Sequence, residues 1–103
     1  MDGPNEGEAV SAMAEIEIGK VTHFFGHVQV ATIALSGALS VGDAVRFVGH
    51  KTDHRQRVES IQLEHQGISE AKSGDVIGIK VSEKVRPHDK VFKIVDEGGK
   101  AEL

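Results

Sequence analysis

Between positions 46 and 57 the chain places Arg46, Lys51, Arg55 and Arg57 beside His50 and His54, with Asp53 as the sole acid. A hairpin projecting those side chains forms a basic patch able to contact phosphates. The competing reading is a strand whose alternate residues face water and are charged for that reason alone. A second basic run, Lys80, Lys84, Arg86, Lys90 and Lys93, is diluted by Glu83 and Asp89. Aromatic support is thin: the sequence has four Phe and no Trp or Tyr, which leaves little for base stacking. Phe24 and Phe25 are neighbours and point to opposite faces of a strand. One ring is therefore core, and the outward one, beside Gly26, anchors a partner, stacks a base or lies under a loop or the N-terminal arm.

Six histidines invite a metal reading. His23/His27 and His50/His54 have the i, i+4 spacing that converges on a helix, but on a strand such a pair lies ~13 Å apart. Only His50-Lys51-Thr52-Asp53-His54, in an expected turn, offers a conceivable site, with solvated loop histidines as the plainer alternative. A metal-dependent enzyme would need a bound metal at His50 and His54. There is no cysteine, which excludes disulfides, thiolate zinc sites and cysteine nucleophiles. No serine sits in a nucleophile elbow. No phosphate-binding Gly-x4-Gly-Lys-Ser/Thr occurs, since Gly98-Gly99-Lys100-Ala101 lacks both the spacing and the hydroxyl, and no Gly-x-Gly-x-x-Gly follows a strand. The expectation is a non-enzymatic chain that binds no GTP, metal or other cofactor.

The elements that must position these residues are strands. Leu35-Ser36-Gly37-Ala38-Leu39-Ser40-Val41-Gly42-Asp43-Ala44-Val45 reads as a strand end, a glycine turn, a short crossing and a second turn. Gly37 and Gly42 can take positive φ, and Asp43 can accept a bond from a nearby backbone N–H. Related turns follow at Gly74-Asp75 and at His88-Asp89. Strands are expected over 15–24, with a bulge near Gly19, and over 28–35, which is apolar on both alternating sets and so buried on both sides for part of its length. Further strands fall at 43–48, 56–64, 76–81 and 91–95. Residues 1–14 read as a mobile acidic arm and 97–103 as a flexible tail, leaving 15–96 as one domain. That domain is balanced in charge, so the net −4 lies in the ends. The acidic start lacks a signal peptide's apolar core and no run is long enough to span a bilayer, so the expected location is cytoplasmic.

Leu39-Ser40-Val41-Gly42-Asp43-Ala44-Val45, with Ala71 through Gly74-Asp75-Val76-Ile77-Gly78-Ile79, resembles the second-domain β-barrel of translational GTPases such as elongation factor Tu. The resemblance covers roughly residues 16–95 and extends to small stand-alone translation-factor-like proteins, which the length and tails fit best. Similar barrels close the C-terminus of collagenase-like peptidases. The resemblance implies an all-β fold, a single small six-stranded Greek-key-like barrel. Taken with the basic hairpin, it gives the expectation of a non-enzymatic module binding structured RNA (ribosomal or transfer RNA), with Arg46, Lys51, Arg55 and Arg57 as the contacts the charge pattern supplies. The alternative it implies is an adaptor barrel for a separately encoded GTPase or peptidase-like enzyme, docking near Phe25.

Overall fold

The computed structural model describes residues 13–96. Ten strands follow one another: β1 Met13–Phe25, β2 Val30–Leu35, β3 Leu39–Ser40, β4 Ala44–Val48, β5 Asp53–Arg57, β6 Ile61–Leu63, β7 Gln66–Ile68, β8 Glu70–Ala71, β9 Val76–Lys80 and β10 Lys90–Asp96. Eight form one sheet in the order β5-β4-β10-β1-β2-β9-β6-β7, and β3 pairs with β8. The all-β class holds, but the closed six-stranded barrel is overturned.

The reason lies in one stretch. The single strand expected over 56–64 breaks at Val58, so β5 pairs with β4 at one margin of the sheet while β6 pairs with β9 near the other. Asp53-His54-Arg55-Gln56-Arg57 carries no aliphatic side chain, so β5 has no apolar row to lay against the core. Side chains join β5 to the end of β9 instead. The Gln56 amide donates from Nε2 to the Lys80 carbonyl at 2.9 Å, and its Oε1 accepts from the Ser82 N–H at 2.9 Å.

The core fills the inside of this rolled sheet. Ile18, Val21, Ile33, Leu39, Phe47, Ile61, Ile77, Ile79 and Val91 are fully buried within it. A register shift between Glu17 and Gly19 turns Ile18 inward and leaves Ile16 48% exposed. A second shift between Val21 and His23 brings Val21 and Phe24 to the inside. Strand β2 alternates instead of being buried on both sides: Ala31, Ile33 and Leu35 are buried, while Val30, Thr32 and Ala34 are half-exposed.

Three turns share one geometry. In Ser40–Asp43, Lys72–Asp75 and Arg86–Asp89 the Asp carboxylate accepts the first residue's N–H at 2.8, 3.0 and 2.9 Å. The third residue takes φ of 99° at Gly42, 97° at Gly74 and 78° at His88. Each turn clasps one buried aliphatic residue by a reciprocal backbone pair. Gly42 N–H donates to Val58 and Asp43 accepts from it; Gly74 and Asp75 hold Leu35 likewise, and His88 and Asp89 hold Val21. Gly37 has no positive φ: an added Cβ there would lie 3.1 Å from Ile18 Cγ2, so packing is what its small size serves.

Replacing Gly74 with Ala puts a β-carbon into the left-handed region with nothing to compensate. The expected loss is about 1–2 kcal/mol, read as a lower urea midpoint with an unchanged slope.

Candidate interaction surfaces

The four basic residues of 46–57 do not act together. Arg46 is held by two carboxylates: its Nε and Nη2 donate to Asp53 at 2.8 and 3.0 Å, and Nη1 donates to Glu15 at 3.1 Å. These bonds, Asp53's first, raise the Arg46 pKa above its ordinary value. Arg57 Nη1 donates to the Gly42 carbonyl at 2.7 Å, bracing the first turn. Arg55 is exposed on β5, and Lys51 lies in the β4–β5 turn, where it faces Arg86 and His88 and not the other arginines. A grip on phosphate through all four is therefore not what the fold builds.

The histidines separate as well. His50 is exposed in the β4–β5 turn, whereas His54 is half-buried and stacks on Phe47 with ring centroids 6.1 Å apart. Asp53 is taken by Arg46. Among the described residues no group of three or more His, Asp or Glu side chains comes together as a metal site.

One arrangement near His54 looks like hydrolytic chemistry. Ser82 Oγ lies 3.1 Å from His54 Nε2, and Glu83 Oε1 lies 3.8 Å from Nδ1. The neighbouring Gln56 decides what it is. Its amide nitrogen faces the carbonyls of Lys80 and Arg57 at 2.9 and 3.3 Å, so its oxygen must face His54 Nε2, at 2.9 Å. An amide oxygen only accepts, so Nε2 carries the proton and is a donor. A protonated Nε2 cannot take the proton of Ser82, and the serine is left unactivated. The cluster is a fastener of the seam.

The outward surface differs in kind. Beside the half-exposed Val30, Thr32 and Ala34 of β2, neighbouring strands and the β1–β2 turn leave Phe25 53%, Val28 55% and Val76 54% exposed. Register places Phe25 opposite Val30 and Val76 opposite Ala34, so these apolar residues lie along one band of the outer face, with Thr32 and Gly78 between them and Lys20, His23 and Lys80 beside them. At its middle Gly78, opposite Thr32, leaves a shallow floor in which an added Cβ would lie 3.3 Å from Val30 Cγ1. Phe24 is the inward ring and packs on the core; Phe25 is the outward one, its ring 6.0 Å from His23. Of this surface the sequence reading singled out only Phe25. The signal for the rest was present as the second apolar set of β2, there ascribed to burial within the domain.

No family model matches the sequence. The chain is 38% identical over 88 residues to an uncharacterized protease of Methanocaldococcus jannaschii, covering 84% of this chain and 21% of that protein. It is 38% identical over 81 residues to a collagenase of Porphyromonas gingivalis, covering 77% and 20%. The chain thus spans about a fifth of the length of these curated relatives. Among solved structures it matches the C-terminal domain of a Geobacillus thermoleovorans protein described as a U32 peptidase, with a TM-score of 0.71 at 23% identity, covering 77% of this chain and 91% of that one. The selenomethionine variant of that domain gives 0.70 at 22% identity, covering 73% and 95%. At such identity these structures establish the fold.

These findings overturn the translation-factor resemblance and leave the assignment to structured RNA without support. The relatives are named as a protease and a collagenase, and the shared fold is that of a peptidase's C-terminal domain. Of the arginines assigned to RNA, Arg46 and Arg57 are hydrogen-bonded within the domain and Arg55 is exposed. Among the described residues no helix is long and apolar enough to cross a membrane.

The Arg46 pair also fixes a pH response. Its hydrogen bond, chiefly, holds the Asp53 carboxyl below the usual carboxylate range. A depressed folded-state pKa contributes stability that is fully present above the unfolded value near about 3.9 and lost as pH falls through the folded one. Asp53→Asn should therefore lower the urea midpoint at pH 7, and its difference from the parent chain should shrink below about pH 4.

Proposed function

We propose that this chain is a non-catalytic accessory module of a peptidase-type enzyme, packing on the catalytic unit through the apolar band of β2 and β9. The catalytic unit lies on the same polypeptide or on another. The observation that carries the reading is the second apolar set of β2, which the domain itself leaves half-covered while Phe25, Val28 and Val76 extend it. A band of this kind on a small domain marks a surface that a partner covers. The relatives support the choice of partner, because a protease and a collagenase about five times longer than the matched stretch have room for a separate catalytic part. The state of His54 supports the absence of catalysis here, since among the described residues the one serine hydrogen-bonded to an imidazole is not activated.

The test is site-specific photo-crosslinking in native cells from position 25 and from position 28, with the captured polypeptide identified by mass spectrometry. A peptidase-type catalytic segment is expected, and Phe25→Ser/Val76→Ser should abolish its capture from position 28 while leaving the chain folded. Crosslinks confined to other copies of this chain would overturn the reading. Ser82→Ala is expected to leave peptide hydrolysis by the assembled enzyme unchanged within about twofold; a loss of about a hundredfold or more would assign the serine a catalytic role.

A further inference from the structure

Residues 49–51 face the Arg86–Asp89 turn across a cleft of ≈ 450 Å³. Its walls carry His50, Lys51, Arg86 and His88, all exposed. None of these side chains has a hydrogen-bond or ion-pair partner among the described residues. Asp89, the one acid of the wall, is 4% exposed, and its carboxylate is engaged by the Arg86 N–H. That carboxylate also rests directly on Gly49, where any β-carbon would collide with it, so the two walls are fixed against each other. In the β4–β5 turn the buried Thr52 hydroxyl has no hydrogen-bond partner among the described residues.

The backbone adds a second, independent sign. Of the three equivalent turns, two place glycine at the position of positive φ, and the third places His88 there at 78°. Gln29, Glu64 and His65 also take positive φ, but His88 alone does so at the position its two sister turns give to glycine, where a β-carbon stores strain. The N–H groups of His88 and Asp89 are already given to Val21 and Arg86, so the Arg86–Asp89 turn itself offers no backbone nest for a compact phosphate. What remains is a guanidinium, an ammonium and two imidazoles spaced along a groove. Each imidazole offers at least one N–H donor, and the guanidinium suits a carboxylate in fork geometry.

We propose that this cleft binds an acidic peptide segment, with carboxylates on Lys51 and Arg86 and hydrogen bonds from His50 and His88. The choice of a peptide rests on the accessory-module reading, but the cleft can be assayed without any partner. A dye-labelled, glutamate-rich octapeptide is titrated with the full chain by fluorescence anisotropy, beside its glutamine counterpart. The glutamate peptide should bind at least about tenfold more tightly, and Lys51→Gln/Arg86→Gln should remove about that factor. The charge-matched control Lys72→Gln/Arg55→Gln should stay within about twofold of the parent.

His88→Gly should raise the thermal midpoint by about 2–6 °C while weakening binding about threefold, separating relief of strain from loss of a contact. Equal binding of the two peptides, equal loss in the control variant, or tighter binding of inorganic phosphate than of the peptide would overturn the proposal. Phe25→Ser/Val76→Ser should leave peptide affinity unchanged, so docking and peptide binding can fail separately.

Discussion

The fold hangs on a clasp used three times. A four-residue turn, closed by an Asp carboxylate on its own first N–H, exchanges two backbone hydrogen bonds with a buried aliphatic residue elsewhere: Val58, Leu35 and Val21 in turn. Each clasp ties a strand entrance to a different strand, so it closes a long loop and satisfies backbone groups that no ladder reaches. Two of the three positions clasped are also those where pairing is interrupted. Val58 sits at the break between β5 and β6, and Val21 sits at the second register shift of β1. The turns thus supply order where the sheet cannot.

What they do not supply is closure, and that falls to Gln56. A backbone ladder between β5 and β9 would need β5 to lie flat on the core, which a strand composed of Asp, His, Arg and Gln cannot do at acceptable desolvation. A primary amide has donors and an acceptor on one head and can stand in for a rung of the ladder. Its orientation, set by two carbonyls, then fixes the imidazole of His54 as a donor. The same contact that fastens the seam disarms the serine beside it.

Much of this was legible in the chain. The Gly-Asp and His-Asp turns could be read because few residue pairs combine a tolerance for positive φ with a carboxylate that caps the turn. The bulge near Gly19 could be read because Ile18 and Val21 cannot both face inward in an unbroken strand. The seam could not be, since a glutamine on a strand carries no periodic signal and its partners, Lys80 and Ser82, are ordinary. Nor could the fate of Arg46, whose second carboxylate, Glu15, lies 31 residues away. The most instructive error concerns β2. The two apolar sets of β2 suggest burial on both sides, whereas the domain buries one and leaves the other half-exposed.

The register shows why candidate surfaces gather where they do. Phe25 lies opposite Val30, Val30 opposite Lys80, Lys20 opposite Lys90, Lys90 opposite Val48 and Val48 opposite Asp53. One end of the rolled sheet therefore collects the exposed Phe25 and Val28, the seam at His54, and the cleft of Lys51, Arg86 and His88. The other end is covered by β3 and β8, whose Leu39 and Ala71 are buried against the core, and Lys93 donates to Ala38 there at 3.0 Å. An end sealed by a strand pair has little surface to give a ligand. The end finished by turns and side-chain hydrogen bonds keeps its cations and its apolar edge in reach.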